Sequence, residues 1–96
     1  MSFSKRLKAI IKQERHSQRS FSEVVDIPLP SLESYLAKKV EPSANVVMKI
    51  TNHPEFKKYT LWLMTGEIEA NSGQICPTEE IQKKYGLLDI TEKRKA

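Results

Sequence analysis

The 96-residue sequence has one cysteine, three glycines and one tryptophan, and its longest apolar run is LWLM at 61–64. Each scarcity closes off a class of protein. Cys76 has no internal partner for a disulfide, and a reducing, cytoplasmic setting is the expectation. A run of this length falls far short of the roughly 20 apolar residues that a membrane-spanning helix needs. The start, MSFSKRLK, lacks an apolar stretch after its charges, so no secretory signal is expected. Gly66, Gly73 and Gly86 build no phosphate-cradling loop. His16, His53 and Cys76 lack paired-ligand spacing, so neither a metal nor a cofactor is expected. No serine sits in a nucleophile elbow. Enzymatic activity is therefore not expected.

What is present is unevenly spread charge. Residues 1–50 hold nine Lys and Arg against five Asp and Glu, whereas residues 51–96 hold seven of each. The basic half is the part suited to an anionic partner. The bland alternative is that the excess only keeps the protein soluble.

Hydrophobic spacing predicts short helices and no strands in residues 1–66. Phe3, Leu7, Ile10 and Ile11 make one apolar stripe over roughly 3–15. Ser17 is a suitable N-cap for a second helix, SFSEVVD, with Phe21, Val24 and Val25 inward. Pro28 pushes Ile27 out of the helical region and ends it. A third helix follows from about Pro28 to Ala37, with Leu32, Tyr35 and Leu36 in period. Ser43 caps SANVVMKITN, whose stripe is Val46, Val47 and Ile50. The segment YTLWLMTG makes a fifth helix closed by Gly66. After Gly66 the chain reads as a polar arm, with a short helix expected at 79–85 behind Thr78 and a frayed, charged tail.

The second and third helices, in SQRSFSEVVDIPLPSLESYLAKK, have the helix-turn-helix pattern. Ser22 is the small residue, Ile27 closes the turn, and Leu32 is the buried position of the third helix. With the link KKVEPS and the segment LWLMTGE, residues 3–67 resemble the lambda-repressor-like superfamily. The segment FKKYTLWLMTGEIEANSGQI and the frame IPxxxLxxYxxxxxxPS resemble, more closely, the short immunity C repressors of peduoviruses. That resemblance implies an all-α, five-helix DNA-binding domain over 1–67, with a C-terminal extension over 68–96. It further implies a homodimer that silences a lytic phage promoter and maintains lysogeny. Operators built of direct repeats and an antirepressor protein are the partners that belong to this expectation. The superfamily often has Gly where this chain has Asp26, a residue that tolerates the left-handed conformation. A self-cleaving domain is not expected, and neither is autoproteolysis triggered by DNA damage.

The third helix starts with two prolines and carries no arginine. The first turn of a helix has N–H groups without intrahelical partners, so proline costs little there. Leu29, Pro30, Ser31 and Ser34 are expected to meet base edges, leucine packing on a thymine methyl and serine hydrogen bonding. Glu33 could accept from a cytosine amino group or repel phosphate and sit in solvent, and solvent is the expectation. Phosphate contacts are expected from Gln18, Arg19, Lys38 and Lys39, and from the helix start at Ser43. Four consecutive apolar residues at 61–64 exceed what one small core absorbs. Either Trp62 packs within its own chain or, as the resemblance implies, one side of this helix is a dimer face, and Tyr59, Trp62 and Leu63 are expected to form it. Two other readings stay open: an antitoxin-type autoregulator, and a protein-interaction adaptor that has kept the fold and lost DNA binding.

Overall fold

The computed structural model describes residues 3–88. Its order is α1 (Phe3–Gln13), α2 (Gln18–Val24), α3 (Leu29–Leu36), α4 (Ala44–Thr51), a 3-10 turn (Lys57–Tyr59), α5 (Thr60–Thr65) and α6 (Glu79–Lys84). No strand occurs among the described residues, and none of their helices is long and apolar enough to cross a membrane. The fold is all-α, as its spacing predicts.

Helix starts follow local chemistry. The Ser17 hydroxyl accepts from Ser20 N–H at 3.0 Å, and the Ser20 hydroxyl accepts from Ser17 N–H at 3.1 Å, a reciprocal capping box. Ser43 caps α4 through Val46 N–H, and Thr78 caps α6 through Ile81 N–H. Pro28 is the N-cap of α3 and Pro30 its second helical residue, positions where a missing N–H leaves no carbonyl unpaired.

Helix ends are less local. Arg15, Asp26 and Lys38 all have φ near +60°, at 62°, 59° and 63°. Each sits just past a helix, and the next N–H reaches back to a carbonyl five residues earlier: His16 to Ile11, Ile27 to Ser22, Lys39 to Ser34. These are Schellman closures, which ordinarily take glycine. The chain makes three of them without one. This closure stops α1 at Gln13, short of the expected residue 15. Gly66, with φ 82°, closes α5 as its sequence predicts.

The core is built from Leu7, Ala9, Ile10 and Ile11 of α1, Phe21 and Val25, Ile27 at the turn, Leu32 and Leu36 of α3, Ile50, and Phe56, Tyr59, Trp62 and Leu63. Phe21 and Phe56 meet edge to face with centroids 4.8 Å apart, an arrangement favoured by ring quadrupoles. Val24, expected to face inward, is exposed. Phe21 and Val25 already take the inward i, i+4 positions of this short helix, and Val24 falls beside them.

Residues 74–88 fold back onto the helices. Gln74 Oε1 accepts from Leu61 N–H at 2.8 Å, Ile75 N–H donates to Lys58 O, and Thr78 N–H donates to Gln13 Oε1. Pro77 is fully buried, and Ile81, Tyr85 and Leu87 pack against the core. The expected frayed tail lies outside the described residues.

Candidate nucleic-acid interface

Helix α3 is held from below. Leu32 and Leu36 are buried, and α3 packs on both α1 and α2. Its angle to α2 is set by the four residues Val25–Pro28. Asp26 supplies the left-handed step, and Lys49 of α4 donates to its carbonyl oxygen at 2.8 Å. The Asp26 carboxylate lies 3.8 Å from the same ammonium, but it is almost fully exposed and adds little. The tie to the carbonyl is the part that fixes the turn.

The four expected base-reading residues divide between surface and core. Pro30 is exposed, and Ser31 and Ser34 are half-buried on the outer side. Leu29 is also half-buried and packs against the core with one edge. It offers only part of its side chain to a ligand, which tempers its expected outward projection. Glu33 is exposed, in keeping with its assignment to solvent.

The expected phosphate contacts fall on both flanks of α3. Gln18 and Arg19 occupy the first turn of α2, and both are exposed. Lys38 and Lys39 follow α3 and are exposed, with Lys38 in the left-handed closure that turns the chain away. No carboxylate pairs with Arg19, Lys38 or Lys39 among the described residues. Ser43 is exposed at the start of α4 but spends its hydroxyl oxygen on Val46 N–H. Only backbone N–H groups remain there for an anion.

Tyr59, Trp62 and Leu63 are not a surface. They are 1%, 4% and 1% exposed within a single chain, so the expected dimer face on them is corrected. Three features swallow them. Residues 59, 62 and 63 stand at i, i+3, i+4, so they face one way, toward α1. Arg6 of α1, itself buried, donates from Nε to Leu63 O at 2.8 Å. Burial lowers its pKa from the usual arginine value. The Tyr59 hydroxyl donates to Glu14 Oε2 at 2.6 Å, and Lys58 lies 3.2 Å from the same oxygen. Burial and that carboxylate push the Tyr59 pKa up. Burial alone would raise the Glu14 pKa, but the Tyr59 and Lys58 contacts outweigh it and leave it lowered.

The apolar residues that do face out nearby are Met64, Ile68 and Ile75, with Leu61 half-buried between α5 and the returning arm. The signal for this was in the spacing: the helical period that takes Trp62 and Leu63 inward with Tyr59 leaves Leu61 and Met64 opposite.

Helices α2 and α3, joined by a fixed turn, with an outward serine and proline face flanked by unpaired cations, define a helix-turn-helix domain. No protein-family model matches the chain. Among curated proteins it is similar to repressor protein C of Escherichia phage P2, at 34% identity over 74 residues, covering 77% of this chain and 75% of the relative. The chain belongs to the family of that repressor.

Proposed function

We propose that this protein is a sequence-specific DNA-binding repressor of a temperate phage, maintaining lysogeny by occluding a lytic promoter as a homodimer. The observation that carries the reading is the outward face of α3 flanked on both sides by unpaired Arg19, Lys38 and Lys39, in a chain belonging to a phage repressor family. The N-terminal half of α3 enters the major groove. Ser31 and Ser34 hydrogen-bond base edges, while Pro30 and the free edge of Leu29 lie against thymine methyls. Neutral side chains add little affinity by charge. Arg19, Lys38 and Lys39, with Gln18 and the backbone at Ser43, supply it through phosphates.

Two copies are needed on energetic grounds. A base contact is worth about 1–3 kcal/mol, while an operator must be distinguished from competing DNA by about 4–10 kcal/mol. Leu61, Met64, Ile68 and Ile75 are the apolar surface on which the second copy docks.

Selection of bound duplexes from a random pool tests the reading. An enriched site, as a direct repeat or a palindrome, is the expected result. Lys38→Ala should then weaken operator and random DNA alike and reduce the salt slope by about one unit. A pool without enrichment would reject sequence-specific repression.

A further inference from the structure

Three cations outside the residues assigned above lie together toward the end of α1. Lys8 and Lys12 lie on α1 and Arg15 just past its end. Lys8, Gln18, Leu36 and Tyr85 are among the residues around one hollow, and Arg15 and Ser17 border a second. Lys12 and His16 line both, so the two hollows form one cleft running along α1 past the start of α2. Their volumes, about 360 and 630 Å³, admit a phosphodiester group.

No Asp or Glu lines either hollow. Among the described residues, Lys8, Lys12 and Arg15 have no carboxylate partner, whereas Lys49 and Lys58 each have one. Glu14 is held by Tyr59 and Lys58, while the Glu55 carboxylate bonds His16 at the cleft wall at 2.8 Å. The cleft is therefore a concave stretch whose Lys8, Lys12 and Arg15 lack carboxylate partners among the described residues. It begins at Gln18, and Leu36 at its wall is the last residue of α3.

We propose that this cleft receives the DNA backbone, with Lys8, Lys12 and Arg15 contacting phosphates beyond those met by Gln18 and Arg19. This inference rests on the DNA-binding reading above. A duplex that holds α3 in its major groove has a sugar-phosphate strand along each side of that groove. On the Gln18 side, a strand continuing past α2 meets the cleft. The contacts would be blind to sequence and would lengthen the footprint on one flank. The competing role is structural: Lys12, in the last turn of α1, offsets the negative end of that helix. That role affects folding and leaves DNA binding alone.

The test is a salt titration of duplex binding by fluorescence anisotropy, on the selected operator with long flanks and on random duplex. The variant is Lys8→Gln, Lys12→Gln and Arg15→Asn together, asparagine tolerating the left-handed backbone at residue 15. Lys57→Gln, an exposed cation away from the cleft, controls for net charge. Each lost contact removes about 0.9 from the slope of log K against log salt. The triple variant should lose two to three such steps on both DNAs, with an unchanged unfolding midpoint, and the control none. If wild type binds and the triple variant keeps the wild-type slope, the cleft is not a phosphate site, while the repressor reading stands. If wild type binds neither duplex, both fall. Should the triple variant fail to fold, the single Lys8→Gln and Lys12→Gln exchanges, each expected to lose one step, carry the same test.

Discussion

Helices α3 and α5 start from similar material and end in opposite places. LPSLESYL and TLWLMT are both short, rich in apolar residues and free of lysine and arginine. Helix α3 buries Leu32 and Leu36 and leaves Pro30 of its first turn exposed, with Leu29 and Ser31 half-buried. Helix α5 has Trp62 and Leu63 fully inside. The difference lies in what the rest of the chain brings to each. α5 receives α1, the Arg6 guanidinium and a glutamine from the returning arm. The outer side of the N-terminal half of α3, at Pro30 and Glu33, stays exposed. Local apolarity alone does not mark a docking face. It has to be counted against everything that folds over it.

The sharpest way to break this comparison is to truncate Trp62. As a core residue it should cost about 3–5 kcal/mol of stability on exchange to Ala, read from denaturant unfolding. If Trp62→Ala leaves the midpoint in place and alters only self-association, the original assignment of Trp62 to a dimer face is right and its burial here is not.

The outward side of α5 gives the complementary test. A carboxylate placed in a buried apolar contact costs several kcal/mol. Leu61→Glu with Met64→Glu should therefore yield a folded protein that sediments as a monomer at concentrations where the proposed wild-type dimer forms. A double variant that still dimerises would move the interface elsewhere.

The Tyr59 hydroxyl sharpens the contrast by titration. Glu14 has a lowered pKa in the folded chain, so its contribution is present above the ordinary carboxylate value, about 4.3. It fades as pH falls through the lowered one. Tyr59→Phe removes a hydrogen bond to a charged group, costing about 1.5 kcal/mol at neutral pH. It should also flatten the loss of stability on the acid side. Parallel acid profiles for the two proteins would remove the Tyr59–Glu14 bond from the account.

The smallest effect has two signs. Lys38 occupies a left-handed position that costs a residue with a Cβ about 1 kcal/mol. Lys38→Gly should stabilise the fold by up to that amount and weaken DNA binding. A glycine that changes both in the same direction would mean that Lys38 acts on DNA only through the fold.

Much of the fold was legible because its cues are local. Ser17 and Ser43 announce helix starts by their hydroxyls, Asp26 tolerates its positive φ, and Gly66 ends α5. The stop after α1 was not legible, because Arg15 carries no mark of a left-handed backbone. Glycine would have given it away, and the chain has few. The fate of α5 was legible in part: its period groups Trp62 and Leu63 with Tyr59, but Arg6 and Gln74, which complete its packing, are distant in sequence. At the interface, the exposure of Pro30, Arg19, Lys38 and Lys39 followed from helix position alone. Leu29 turned out to be shared with the core, because the first turn of α3 sits close enough to the other helices to cover one edge of it.

In the proposed complex α3 reads bases while the cations around it hold the backbone. Paired titrations of Ser31→Ala with Ser34→Ala, on the selected operator and on random duplex at one salt concentration, test it most directly. Loss of base contacts should weaken operator binding by about 1–3 kcal/mol per contact and leave random binding unchanged. Equal weakening on both DNAs, or none on the operator, would contradict it.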